Sequence, residues 1–201
     1  MRISFRKDDV LFFSLWLAAA LVGRPIFDLI APNLPPEAWY LGPALSGAVR
    51  GLLQGLVVSR RSHIGALWGA ATFLGITAYG ILAGALQEPL RAWGLAAQAA
   101  GSLMLFVVLL QAVQGAAIGA AQWAVLRLEV PKAARWIFFS ALGHWAAAET
   151  GFVLAGTSME ANAEHWGALA SGIITGLGLV WLFNQADDVR VAREANEQVS
   201  P

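Results

Sequence analysis

Four ionisable residues interrupt otherwise apolar stretches of the sequence: Arg24, Asp28, Arg50 and Glu149. Such groups are costly in lipid, and they mark a pathway, a relay or a binding site by default. Arg24 and Asp28 are four residues apart, close enough to pair along one helix. We expect Arg50 and Glu149 to pair across a helix bundle, because an unpaired buried charge costs several kcal/mol or shifts its pKa. This candidate polar cluster could hold helices in register, bind a solute or a proton, or face a partner subunit.

Histidine and cysteine usage limits the metal and cofactor chemistry that the chain could perform. His144 falls in the middle of an apolar stretch, where a lone imidazole could be an axial ligand of haem or chlorophyll, although a local hydrogen bond is the commoner role. On an ideal helix His144 and Glu149 point about 140° apart, so they do not predict a metal site. The chain has no cysteine, which excludes disulfides, thiolate metal sites and thiol nucleophiles.

No catalytic signature is present in the sequence. It contains no HExxH motif, no GxSxG motif and no pair of intramembrane aspartates. We therefore assign no catalytic residue and no cofactor, and we expect a protein that is not an enzyme.

A motif of two glycines and a glutamine occurs twice, 68 positions apart. Its two copies are Gly47, Gly51, Gln54 and Gly115, Gly119, Gln122. The same shift carries Trp68 onto Trp136, and a weaker third copy combines Trp16 with Gly172 and Gly176. The pattern predicts three helix-pair repeats, each with a small-residue stripe that serves either as a packing seam or as the lining of a ligand site.

The elements that position these residues are predicted to be membrane-spanning helices. The chain is 58% hydrophobic and 13% charged, whereas about a quarter of the residues of a soluble domain are charged. Long uncharged runs fit helices and exclude the alternating strands of a barrel. We predict an all-α, polytopic membrane bundle with six transmembrane helices at residues 10–31, 39–58, 64–86, 95–126, 135–157 and 165–184.

The fourth predicted span is too long for one crossing. Its 32 uncharged residues would make about 48 Å of helix, against a hydrocarbon core of about 30 Å. Either this helix tilts, or residues 95–101 form a separate interfacial segment.

The basic residues predict how the bundle is oriented. Arginines and lysines fall almost entirely in the loops on one side, whereas the loops on the other side hold Glu37, Glu88, Glu160 and Glu164 and a single cation, Arg91. Because basic loops stay in the cytoplasm, we expect both termini to be cytoplasmic and the protein to lie in the cell membrane. Residues 1–184 are then a single transmembrane domain, and residues 185–201 a polar cytoplasmic tail. The formal net charge of zero gives no indication of nucleic-acid binding.

Three segments in the second half of the chain carry a resemblance to a known group of proteins. They are Gly119-Ala-Ala-Gln-Trp-Ala-Val-Leu-Arg127, Ser140-Ala-Leu-Gly143 with the preceding Trp136, and the stretch from Gly172 to Phe183. This pattern resembles a group of bacterial multi-pass membrane proteins with a repeated GxxQWxxLR element. The resemblance implies a fold and no chemistry.

Two functions are consistent with the sequence. The glycine-rich seams, the short loops and the lack of a motif favour a packing or accessory subunit of a larger membrane complex. Six spans with internal repeats and a buried polar cluster favour a small-solute binding or transport protein, with a site open to the outside. The expected partners are the lipid bilayer, other membrane subunits in the first case and a small solute in the second.

Overall fold

The computed structural model describes residues 6–30, 41–155 and 162–199, and every regular element in these ranges is a helix. The helices are α1 (Lys7–Ile30), α2 (Leu41–Val58), α3 (Gly65–Ala85), α4 (Gln87–Ala99), α5 (Leu103–Leu126), α6 (Arg135–Leu154) and α7 (Ala163–Val199). Five of them, α2, α3, α5, α6 and α7, are long and apolar enough to cross a membrane. The all-α prediction is confirmed for the described residues, and the five helices are consistent with a multi-pass membrane protein.

Six of the helices form a closed ring. Going along the chain, α1 packs on α2, α2 on α3, α3 on α5, α5 on α6 and α6 on α7, and α7 returns to pack on α1. Helix α4 lies outside this ring and contacts α3 and α5. The ring has an interior that all six helices can reach, and a side chain there can face helices distant in sequence.

The long uncharged stretch is two helices, which is one of the two predicted alternatives. Gly101 has a φ of +68°, and its N–H donates to the carbonyl of Gln98 at 3.0 Å, while the N–H of Ser102 donates to the carbonyl of Ala97 at 2.8 Å. This pair of bonds is a Schellman cap, which ends a helix at a glycine in the left-handed region. Helix α4 begins at Gln87, earlier than predicted, and none of its residues is buried.

Helix α7 is much longer than the predicted sixth span. It continues without a break through the polar residues after Asn184 and ends at Val199. Residues of high helix propensity and two short-range ion pairs support this extension, Arg190 with Asp187 at 3.1 Å and Arg193 with Glu197 at 2.9 Å. The 15 residues beyond Asn184 extend the helix by about 22 Å.

The basic loops lie at one end of the ring, which we call the basic end. Arg61 in the α2–α3 loop contacts Asp9 at the start of α1 and Asn184 of α7, and Ser62 donates a hydrogen bond to Glu129 of the α5–α6 loop. The buried apolar core is gathered in this half of the bundle. It includes Phe12, Trp16, Val57, Val58, Ile64, Trp68, Leu126, Val130, Trp136, Leu179, Val180, Leu182 and Phe183.

The outer surface of the ring is apolar. Leu52, Leu74, Leu105, Phe138 and Val153 are each at least 60% exposed. In each of the five candidate spans, at most half of the residues in its apolar 18-residue stretch are buried inside the protein. Soluble proteins rarely expose apolar patches of this extent, so lipid is the solvent that suits this surface.

Candidate functional site

The interior of the ring contains a cavity of about 450 Å³. Every helix of the ring contributes to its lining. The polar and charged lining residues are Arg50, Gln54, Thr72, Gln111, Gln114, Gln122, Ser140, His144, Glu164, Ser171 and Thr175. The lining reaches from Trp136, close to the basic end, to Glu164 in the first turn of α7 at the opposite end. The cavity thus occupies the part of the bundle that the apolar core leaves unfilled.

Three tryptophans meet beneath the cavity, on the side of the basic end. Trp16, Trp68 and Trp136 come from α1, α3 and α6, and each is at most 2% exposed. Their ring centroids are 6.3 Å apart for Trp16 with either partner and 5.2 Å apart for Trp68 with Trp136, all in edge-to-face arrangements. We call this group the Trp cluster. It separates the cavity from the basic end with bulky side chains.

Two of the three indole N–H groups donate to polar residues of the cavity. Nε1 of Trp16 donates to Oγ1 of Thr175 at 3.0 Å, and Nε1 of Trp136 donates to Oε1 of Gln122 at 2.8 Å. Within the described residues Nε1 of Trp68 is a buried donor without an acceptor. By the 68-residue shift of the repeat, Gln54 would be the acceptor for Trp68, as Gln122 is for Trp136. The oxygen of Gln54 instead faces Nε2 of Gln122.

The two glutamines of the repeated motif meet in the cavity. Nε2 of Gln122 donates to Oγ1 of Thr72 at 2.8 Å and reaches Oε1 of Gln54 at 3.4 Å. The hydroxyl of Thr72 donates to the carbonyl of Trp68 at 2.9 Å. Residues 68 positions apart therefore share one hydrogen-bonded network, which connects α2, α3, α5 and, through Trp136, α6.

The glycines of the motif lie at helix seams. A Cβ atom on Gly47 would be 2.9 Å from the carbonyl oxygen of Phe73, and one on Gly51 would collide with the carbonyl oxygen of Gly69. In the second copy, a Cβ atom on Gly119 would be 2.7 Å from Cβ of Ser140, and one on Gly115 would be 2.8 Å from Nδ1 of His144. The two roles considered for the motif thus divide by residue type. Its glycines allow close helix packing, and its glutamines line the cavity.

The predicted ion pair between Arg50 and Glu149 does not form in the described part of the chain. Oε1 of Glu149 accepts a hydrogen bond from Nε1 of Trp145 at 3.0 Å, and Trp145 is 44% exposed. Arg50 lines the cavity and is engaged in interactions elsewhere in the protein. The helical turn explains the difference, because Glu149 lies about 140° around α6 from His144 and faces outward.

The remaining predicted site residues are Arg24, Asp28 and His144. The side chains of Arg24 and Asp28 lie outside the described residues. His144 lines the cavity, and its Nδ1 is 3.0 Å from the carbonyl oxygen of Ser140. The described residues contain no group of three potential metal ligands. An axial-ligand role for His144 stays a prediction.

Sequence reasoning missed several lining residues, chiefly Gln111, Gln114, Glu164 and Ser171. The spacing of Gln111, Gln114 and Gln122 places the three side chains within about 80° of one another around α5, on one helical face. That polar stripe within an apolar span was the available signal. The sequence gave no such signal for Glu164 and Ser171, because the first half of α7 packs against α1 and α6 only when the ring closes.

A second polar group, also missed, holds the basic end together. The carboxylate of Asp9 is fully buried and accepts hydrogen bonds from the backbone N–H of Arg6 at 2.8 Å, from Nδ2 of Asn184 at 3.0 Å and from Arg61. The guanidinium of Arg61 also contacts Asp187 at 3.2 Å. We call these five residues the Asp9 cluster.

Burial and hydrogen bonding act in opposite directions on Asp9. Burial by itself raises the pKa of this carboxyl, but the hydrogen bonds from Arg6, Asn184 and Arg61 and the charge of Arg61 favour its ionised form. The pKa of Asp9 is therefore held below its ordinary value of 3.8. The Asp9 carboxylate is ionised at neutral pH, and the cluster ties α1, the α2–α3 loop and α7 together.

Comparison with known proteins adds no family to this description. No family model, curated protein or solved structure matches the chain. The resemblance to bacterial multi-pass proteins with a GxxQWxxLR element stays a prediction. Function has to be argued from the cavity and from the surface around it.

Proposed function

We propose that the protein binds a small polar solute in the central cavity and takes part in its transport across the cell membrane. The observation that supports this function is a cavity of about 450 Å³ into which polar side chains from several helices converge, inside a bundle whose outer surface is apolar. Small-molecule sites are concave spaces of about 300–1,000 Å³ with a few convergent polar groups, and they are found between the helices of bundles. A bundle that needed only to pack would fill this space with apolar side chains.

In this proposal α1 is the sixth membrane-spanning helix. Its 24 residues make about 36 Å of helix, which is long enough to cross. It occupies a place in the ring between α2 and α7. The three helix-pair repeats are then α2 with α3, α5 with α6, and α7 with α1, and each pair contributes one tryptophan to the Trp cluster.

The proposed orientation follows from the basic end. If the basic loops and both termini are cytoplasmic, the Trp cluster and the apolar core close the cytoplasmic side. The cavity then extends toward the outside, as an outward-facing binding state requires. Alternating access would need the Trp cluster and the Asp9 cluster to separate while the outer half closes.

Cysteine labelling tests both the cavity and its orientation, because the chain has no cysteine of its own. Ser171→Cys places a thiol on the cavity lining, and Arg60→Cys places one at an exposed position of the basic end. We expect a membrane-impermeant thiol reagent to modify Ser171→Cys in intact cells and to modify Arg60→Cys only after the cells are opened. The reverse pattern would invert the orientation, and labelling of neither variant in intact cells would contradict an outward cavity.

Mass spectrometry tests the solute itself. Protein purified with lipid or in mild detergent should release a small molecule on denaturation, and that molecule should protect Ser171→Cys from the thiol reagent. Gln122→Leu should release less of it, because this residue joins the Trp cluster to the cavity network. A protein that purifies without a solute, and whose labelling no polar solute slows, would contradict the function.

The accessory-subunit function is kept as a second candidate because of one feature, the extension of α7. This helix presents a shallow groove beyond the membrane-spanning part, lined by Val189, Ala192, Arg193, Asn196 and Glu197. If another chain binds there, a variant ending at Asp188, which keeps Asp187 of the Asp9 cluster and removes the groove, should lose that chain from the gently solubilised complex and keep solute binding. Loss of solute binding in the same variant would favour a structural role of the extension.

A further inference from the structure

The polar groups of the cavity fall into those that the fold already uses and those that it leaves available. The indole N–H groups of Trp16 and Trp136 donate within the protein. The hydroxyl of Ser140 donates to the carbonyl of Gly115 at 2.7 Å, and the hydroxyl of Thr175 donates to the carbonyl of Ser171 at 2.7 Å. These groups stabilise the ring and have little capacity left for a ligand.

Three carboxamides retain most of their hydrogen-bonding capacity. Within the described ranges, the side chains of Gln111 and Gln114 have no hydrogen-bond partner, and Gln54 uses only its oxygen, as an acceptor from Nε2 of Gln122 at 3.4 Å. All three line the cavity. A primary carboxamide offers two donors beside an acceptor, so each of the three presents both kinds of group side by side.

His144 adds an acceptor to the cavity lining. Its Nδ1 lies 3.0 Å from the carbonyl oxygen of Ser140, and a carbonyl can only accept, so Nδ1 carries the proton. In the neutral ring Nε2 is then an unprotonated acceptor. Glycine at position 115 permits this placement of the ring, since a Cβ atom there would be 2.8 Å from Nδ1.

Charge does not dominate the lining. Its described residues include one cation, Arg50, and one anion, Glu164, and both are engaged in interactions within the protein. An ionic solute entering this space would lose its hydration without gaining an excess of opposite charge. An uncharged solute would lose less and could use the available carboxamides.

We infer that the cavity selects an uncharged solute with a hydrogen-bond donor and an acceptor side by side, as in a carboxamide, a urea or a lactam ring. This inference rests on the proposed function and specifies the solute of that site. A carboxamide pairs with such an edge through two hydrogen bonds, and a site built on those bonds rejects an analogue that cannot make them. The cavity has the volume of roughly 15 water molecules at about 30 Å³ each, enough for one small ring compound.

Matched pairs of neutral and anionic ring compounds test the inference. Nicotinamide is compared with nicotinate, and uracil with orotate, by isothermal titration of the full-length protein in detergent at millimolar ligand. We expect at least one neutral member to bind and its anionic partner to bind more weakly. Gln111→Leu and Gln114→Leu should each weaken binding roughly 2–10-fold, the value of one lost hydrogen bond. Gln98→Leu, the same change at an exposed position of α4, should leave it unaltered.

The outcomes separate the inference from the proposed function. Stronger binding of nicotinate or orotate than of the neutral partner would overturn the selection of an uncharged solute and leave a solute-binding cavity in place. Equal weakening by Gln98→Leu and Gln111→Leu would place the ligand outside the cavity and overturn the inference. Binding of none of the four compounds would also count against it, whereas the proposed function depends on the co-purified solute and the cysteine labelling.

Discussion

Replacing Asp9 by asparagine measures how much the Asp9 cluster stabilises the bundle. The substitution keeps the size of the side chain and removes the negative charge that faces Arg61. It also turns an acceptor into a group with two donors, opposite the N–H of Arg6 and the amide of Asn184. Removing one partner of a buried ion pair costs about 3–5 kcal/mol. For a chain of this length 1 kcal/mol corresponds to about 2–4 °C in melting temperature, so Asp9→Asn should melt roughly 6–20 °C below the natural protein.

The assay is thermal unfolding of the full-length protein in detergent, followed by tryptophan fluorescence and by the fraction that remains soluble. Asp8→Asn is the matched control, because this neighbouring carboxylate is exposed. A surface substitution should change the free energy of unfolding by no more than about 0.5 kcal/mol. Equal melting temperatures for the two variants would refute the claim that buried charge holds this end of the bundle.

The pH dependence of the same comparison has a definite sign. A carboxyl with a lowered folded-state pKa contributes stability that is fully present above its ordinary pKa of 3.8 and is lost as the pH falls through the lower folded-state value. The difference between the natural protein and Asp9→Asn should therefore stay constant from neutral pH to about pH 5 and shrink below about pH 4. A difference that shrinks already between pH 7 and 5 would contradict the lowered pKa.

Three further substitutions test individual contacts of the ring and the cap of α4. Trp136→Phe should lower the free energy of unfolding by about 1–3 kcal/mol more than Trp68→Phe does, because only Trp136→Phe breaks an indole hydrogen bond and leaves a buried acceptor unpaired. Equal losses in thermal unfolding would mean that the hydrogen bond from Trp136 to Gln122 adds nothing to stability. Gly51→Ala should destabilise by about 1–3 kcal/mol through overpacking of the α2–α3 seam, whereas Gly151→Ala, with open space around its Cβ, should not destabilise. Gly101→Ala should cost about 1–2 kcal/mol in chemical unfolding because of its positive φ, and an unchanged midpoint would argue against the Schellman cap.

Local properties of the sequence determined most of the helical architecture. Uncharged runs located α2, α3 and α6 to within a few residues, because the preference of apolar side chains for lipid acts segment by segment. The glycines of the repeated motif were identified for the same reason, since close helix approach requires a small residue wherever it occurs. The break at Gly101 was only one of two alternatives, because a glycine in an apolar run can stay helical unless cap bonds such as those of Ser102 form.

Tertiary structure alone decided what each polar residue faces. Charge balance suggested Arg50 and Glu149 as partners, but the rotation of α6 directs Glu149 toward Trp145 at the outer surface and brings His144 to the cavity instead. The Asp9 cluster joins α1, the α2–α3 loop and α7, so no local pattern could reveal it. Helical periodicity sets the directions of side chains relative to one another on one helix. The absolute rotation of each helix is fixed only when the six close into a ring, and that rotation made the cavity.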